Sequence, residues 1–323
     1  MGRVPIRPAD DRIPVVLGVD AEPDSRYPDP GDPEPWHGLE AMFAFMGRLR
    51  RRLVRATGEP AAFAWFLRMD RQIETVYGSA EWAARRYARQ LELLRVEGDE
   101  VGVHPHVVRL VDGDWLIDHG NPDATRDVVG TSIQAYRSAF GDECRIHRAG
   151  DRMLSSEWLA MLERGGVEVD LTVEPGEPGT DTLDHGVAWT GEIPDYSDAP
   201  REPYRSTAVP GVGGGVAMIP LTSARVPRSD RRRLAPGALP PGRPFRQLVA
   251  WHCDDPREFW NVAAERLEEM DRPYLAFAFR SDIQAHEPEW RRFRAVFGAL
   301  RRHPLRRRLA FVTPTEAVVR LGV

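Results

Sequence analysis

The feature that most restricts how this chain can fold is an alternation of short β-branched runs with helical patterns along most of its 323 residues. "IPVVLGVD" (13–20) reads as a buried strand, and "GLEAMFAFMGRLRRRLVRAT" (38–57), with apolar residues three and four apart, reads as a helix. "AAFAWFLRMD" (61–70) is strand-like, "SAEWAARRYARQLELLRVEG" (79–98) is a helix opening on a Ser N-cap, and "EVGVH" is a third strand. A helix near 124–140, the strand "RIHRAG" (145–150), a Ser-capped helix at 155–166 and the strand "VEVDLTV" (167–173) continue the series. After an interval rich in Pro, Gly and Arg it resumes: helix 256–270, strand "YLAFAF" (274–279), helix 287–302, strand "RLAFVT" (308–313) and a short final helix. Such a rhythm predicts a parallel sheet covered by helices. The number of units points to a closed or nearly closed (β/α) barrel, with an open doubly wound sheet as the alternative. The expected organisation is one domain over 1–323, with an elaborated loop at about 174–250.

In either architecture, chemistry gathers at the carboxyl ends of the strands. Those ends carry Asp20, Glu22 and Asp24, then Asp70, His104 and His106, Arg148 and Asp170. Asp20, Glu22 and Asp24 alternate, so a continuing strand would point all three one way and call for a cation among them; Pro23 makes a solvated turn the competing reading. Two imidazoles and a carboxylate with open positions form the ligand set of a catalytic divalent metal. Such an ion activates water and polarises a carbonyl, a second carboxylate serves as general base, and an arginine orients that base. Asp20, Glu22, His104, His106 and Arg148 cover these roles. Asp70 either lines the pocket or caps the next turn.

The remaining composition excludes more than it assigns. A net charge of −5 argues against a nucleic-acid partner. The basic runs at 231–234 and 301–309 read as solvated faces. Cys144 and Cys253, the only cysteines, stand far apart and read as reduced thiols. With neither a signal-like apolar segment nor a run of membrane-spanning length, the expectation is a soluble cytoplasmic protein without a membrane partner.

The stretches "VVLGVDAEPD", "DEVGVHPH" and "HRAGDRMLSSEWLAMLERGGVEVDLTVEPG", over roughly 13–176, together with the late "FVTPTEAV", resemble the successive motifs of the polysaccharide deacetylase, or NodB-like, superfamily. The resemblance is to its divergent members with a V-D-x-E first motif. It implies a distorted (β/α)7 barrel of the glycoside hydrolase/deacetylase type holding a divalent metal ion, zinc foremost. The implied reaction is hydrolysis of an N-acetyl or related acyl group on an amino sugar or glycan precursor. Carried over residue by residue, Asp20 is the base, Glu22 and His104 bind metal with His106 as the second histidine, and Arg148 steadies Asp20. Tyr196 and Tyr204, in a polar and aromatic stretch, are expected to face the carbohydrate with Asp70.

The chain departs from the family pattern at three points. Ala21 separates the two acids, position 108 is Val where a histidine is usual, and Arg280, Ser281 and Asp282 stand where a late histidine acts as general acid. His286 and His252 are the candidates to replace it. Two other readings therefore stay open: an inactive glycan-binding protein on the same fold, and a metal-independent glycoside hydrolase using Asp20 and Asp170.

Overall fold

All nine residues of strand β1 (Ile13–Ala21) are buried, as expected of a β-branched run covered on both faces. The structure is a computed structural model describing residues 12–180, 186–206, 215–225 and 245–323. Parts of the elaborated loop, and with them the basic run at 231–234, lie outside the described residues. Helix α1 (His37–Thr57) turns Leu39, Met42, Phe45, Met46, Leu49 and Leu53 inward, one apolar stripe at helical spacing, and stops at Gly58 in the left-handed conformation. Asp24 caps it from a distance, accepting from the backbone N–H groups of His37 and Gly38 at 3.0 and 2.7 Å. The chain thus leaves the strand direction after Ala21, and Asp24 serves a helix start.

Strand β2 (Ala64–Leu67) is followed by α2 (Arg71–Tyr77), a short helix that the sequence reading passes over. The expected helix at 79–98 is split into α3 (Trp82–Arg86) and α4 (Ala88–Val96). Tyr87, at the break, is buried in an aromatic cluster with Trp36, Phe43 and Trp82. The Ser79 hydroxyl donates to the Glu81 carboxylate and accepts from the Glu81 N–H at 3.2 Å, and Glu81 stands at the N-cap position of α3. After β3 (Glu100–Val103), β4 (Val108–Val111) and β5 (Asp114–Asp118) form a hairpin over a turn at Asp112 and Gly113, both with positive φ.

Helix α5 (Pro122–Phe140) starts at Asn121, whose side chain accepts from two backbone N–H groups, with Pro122 in the first turn. The two following strands shorten to β6 (Ile146–His147) and β7 (Val169–Asp170), separated by α6 (Ser156–Arg164) with Ser155 as its N-cap. Within the loop region lie β8 (Ala188–Thr190), β9 (Tyr204–Ser206), β10 (Val216–Met218) and the pair β11 (Ser223–Arg225) and β12 (Phe245–Gln247). The chain ends through α7 (Pro256–Glu268), β13 (Leu275–Arg280), α8 (Glu287–Leu300), β14 (Leu309–Phe311) and α9 (Pro314–Leu321).

The main sheet runs β13-β1-β2-β3-β6-β7-β10-β9, with β14 also on β1. Its pairs are parallel except β9 with β10. One edge of β1 belongs to β13; the other is shared by β14 at Ile13–Val15 and by β2 from Gly18 onward. Beyond β10 the chain returns to β13 with no full ladder among the described residues: the Thr222 N–H donates to the Ala276 carbonyl at 2.9 Å and the Ala276 N–H to Thr222 Oγ1 at 2.8 Å, while the Leu221 N–H ties the segment back to the Val173 carbonyl at 2.8 Å. The result is the distorted barrel that the alternation and the motif resemblance imply. No helix among the described residues is long and apolar enough to cross a membrane, and Cys144 and Cys253 are not joined in a disulfide.

Candidate metal centre

Four strand ends meet at one point. Asp20 and Glu22 leave β1, His104 and His106 follow β3, Arg148 follows β6, and Arg280 ends β13 in register with Asp20. His104 Nε2 lies 3.2 Å from His106 Nε2 and 3.4 Å from Glu22 Oε1, and His106 Nε2 lies 3.9 Å from Glu22 Oε2. All three residues are buried, and their ligating atoms fall within 4.8 Å of one another. A tetrahedral ion with bonds of about 2.1 Å holds its ligand atoms roughly 3.4 Å apart, so the spacing fits one cation.

The hydrogen bonds at the other nitrogens strengthen that fit. His104 Nδ1 is 2.8 Å from the carbonyl oxygen of Arg148, and His106 Nδ1 is 3.1 Å from Asp151 Oδ2. A carbonyl and a carboxylate only accept, so each ring donates through Nδ1 and turns an Nε2 lone pair inward. Two lone pairs 3.2 Å apart repel unless a cation sits between them. Burial and the nearby Arg68 push the His106 imidazole well below its ordinary pKa, so it stays neutral, as a ligand must. Glu22 Oε2 is buried without a hydrogen-bond partner. Burial alone would raise the Glu22 carboxyl, but the Arg280 guanidinium foremost outweighs it and the group is held well below the usual carboxylate range.

Around this centre the charges are tightly paired. Arg148 donates through Nε to both oxygens of Asp20 at 3.1 and 3.2 Å, through Nη1 to the Leu171 carbonyl at 2.8 Å and through Nη2 to Glu174 Oε1 at 3.0 Å. Arg68 sits 3.7 Å from Glu22 Oε2 and grips Asp70, while Arg280 stands 3.5 Å from Glu22 Oε1 and forks onto Asp282 at 3.1 and 2.7 Å. The Ser281 hydroxyl accepts from the Glu22 N–H and donates to the Glu22 carbonyl, fixing the backbone of the acid.

The structure thus gathers Asp20, Glu22, His104, His106 and Arg148 at one point and gives the other candidates partners of their own. Asp70 is fully buried, caps α2 by accepting from the Gln72 and Ile73 N–H groups, binds Arg68 and accepts from the His106 N–H at 3.0 Å. Its acceptors are spent, so the capping reading describes it and a direct contact with substrate does not. The Tyr196 hydroxyl donates to the Arg152 carbonyl at 2.8 Å. Tyr204 packs half-buried beside Val216 and Met218, its phenol pushed up to about 12 by burial and Asp170. Asp170 itself is fully buried, holding His147 Nδ1 at 2.6 Å and the Thr172 N–H and hydroxyl at 2.8 Å, which removes it as an open partner for Asp20. His286 is exposed at the start of α8, and His252 is exposed on the turn before α7. Sequence reading missed Arg68, Asp151 and Glu174. The first stands two residues before a strand-end acid and the third just past a strand end, but nothing in the sequence marks the second.

No protein-family model matches the chain, and no curated protein matches its sequence. Among solved structures, one from Mycobacterium smegmatis assigned as a polysaccharide deacetylase is similar over 100% of this chain and 94% of its own, at 13% identity and a TM-score of 0.53. An allantoinase matches at a TM-score of 0.48 and 12% identity, over 96% of this chain and 90% of its own. A 4-alpha-glucanotransferase from Thermococcus litoralis matches at 0.47 and 12% identity, over 95% of this chain and 40% of its own. At such identities the first likeness is one of fold, the fold of the superfamily that the sequence motifs resemble, and the other two fall below the level that bears on it.

Proposed function

We propose that this chain is a metal-dependent hydrolase removing an N-acetyl or related acyl group from an amino sugar or glycan precursor, with a divalent cation, zinc foremost, held by Glu22, His104 and His106. The observation that carries the reading is the pair of inward Nε2 lone pairs 3.2 Å apart beside an unpartnered carboxylate oxygen. When bound, the cation supplies Lewis-acid polarisation of the acyl carbonyl and makes water a usable nucleophile near neutral pH.

The chain's own groups do the rest. Asp20 accepts the proton of the attacking water, and Arg148, anchored by Glu174 and the Leu171 carbonyl, fixes the direction in which Asp20 faces. Arg280, whose side chain is 31% exposed at the mouth, offers a fixed positive charge to the acyl oxygen as negative charge develops there. Being permanently protonated, Arg280 does not deliver a proton to the leaving amine. That last property favours a second reading, a glycan-binding protein without turnover. Elemental analysis of the purified chain, paired with a screen of N-acetylated and O-acetylated sugars with and without chelator, separates the two. Chelator-sensitive release of acetate supports the hydrolase, a bound sugar without release supports the binding protein, and a chain that neither retains nor rebinds a divalent metal sinks the metal centre.

A further inference from the structure

Resting on the cation-binding reading above, we propose that Asp151 is a positioning residue for the centre. It fixes His106 as the Nδ1–H tautomer with Nε2 turned toward His104 and Glu22, and the strained backbone that carries it is the cost of that placement. Asp151 (φ 52°, ψ 21°) and Arg152 (φ 58°) are consecutive non-glycine residues in the left-handed region. The other such residue among those described, Asp112, sits in a hairpin turn that requires the conformation; Asp151 and Arg152 have no such excuse. Strain of this kind persists only where the surroundings over-determine it.

Here they do. The Ala149 N–H donates to Thr172 Oγ1 at 2.8 Å, the Gly150 N–H to the Pro105 carbonyl at 2.9 Å, and the Tyr196 hydroxyl to the Arg152 carbonyl at 2.8 Å. Gly150 lies so close under the His106 ring that a Cβ there would meet ring atoms at 2.1–2.4 Å. The strap is therefore pressed against the imidazole, and the left-handed step is what swings the Asp151 carboxylate round to Nδ1 at 3.1 Å. The second carboxylate oxygen is held by Arg26, from the loop that follows Glu22. One acid thus ties two loops of the centre together, with its side chain 2% exposed. A carboxylate on the far nitrogen of a ligating histidine sets the ring's orientation and raises its basicity toward the ion.

The test uses the full chain, cobalt or zinc alone in competition with a chromogenic chelator, imidazole nitrogen shifts of the metal-free protein, and thermal midpoints. Asp151→Gly relieves strain and removes the carboxylate. Metal affinity should fall about 10- to 100-fold and the His106 Nδ1–H signal give way to a mixture of tautomers, while the metal-free midpoint sets relief of strain against the lost ion pair with Arg26. Arg152→Gly relieves strain but keeps the carboxylate, and should leave affinity and tautomer unchanged. Asp151→Asn, which also tolerates left-handed backbone, should lose affinity to a smaller extent. The proposal is overturned if folded Asp151→Gly and Asp151→Asn chains bind cobalt like the parent with the same His106 tautomer. A parent chain that binds no metal removes the hydrolase reading, while the nitrogen shifts still decide whether Asp151 sets the ring.

Discussion

The two sides of the centre are built on different terms. On the β1–β3–β6 side, Asp20, Glu22, His104 and His106 are almost wholly buried, and nearly every donor and acceptor has a fixed partner. On the β13 side, Arg280 reaches in from a half-open position and shares its charge between Glu22 and Asp282. On the proposed reading, the first side is pre-set to hold an ion and the second offers charge without a transferable proton, so the nucleophile's machinery is kept rigid and the leaving group is left to substrate or solvent.

The strongest way to break this comparison is at the ligands. Glu22→Gln or His104→Ala should lower metal affinity by more than ~100-fold, beyond what an outer partner is worth, and abolish hydrolysis with it; equilibrium dialysis against zinc checks this. Asp20→Asn should separate the functions, cutting kcat by roughly 10²- to 10⁴-fold while metal content stays at the parent level. Full activity in that variant would remove Asp20 as the base.

Acid sharpens the contrast further. His119, in the turn after β5, is 6% exposed with both ring nitrogens unpartnered, and burial with the help of Arg26 pushes its pKa down from 6.5 to about 4. Its folded pKa lies below the unfolded one, so its contribution is complete above pH 6.5 and drains away as pH falls toward about 4. The loss should total about 3 kcal/mol at ~1.4 kcal/mol per pH unit. His106 adds a loss of the same sign in the metal-free chain. Urea midpoints of metal-free parent and His119→Leu, compared between pH 7 and pH 5, should show the variant losing less. The smallest effect belongs to the β13 side: Arg280→Ala should lower kcat/KM by about 10- to 100-fold, less than a fully enclosed oxyanion donor costs because its side chain is 31% exposed, and should weaken zinc binding only slightly through the charge it lends Glu22. A large loss of zinc there would show that the two sides are one unit.

Much of this was legible because it is periodic. β1, α1 and α5 announce themselves through β-branched runs, stripes three and four apart, and capping residues, and the ligands stand at strand ends where a barrel puts them. The hairpin at Asp112-Gly113 carries a strong turn signal that the strand–helix rhythm masked. Helix α2 is too short for periodicity, so its cap, Asp70, passes for a pocket acid. The split at Tyr87 depends on rings from distant segments, and Asp151 acts only through a backbone conformation that no spacing encodes.

The return from β10 to β13 carries one more implication. There the ring of strands is closed by a clasp of mixed backbone and side-chain bonds in place of a paired ladder: the Thr222 N–H reaches the Ala276 carbonyl, the Ala276 N–H donates to Thr222 Oγ1 at 2.8 Å, and the Tyr274 hydroxyl donates to the Pro220 carbonyl at 2.6 Å. Thermal breathing concentrates where backbone pairing is sparsest, so the Thr222 amide should exchange with deuterium well before those of β1.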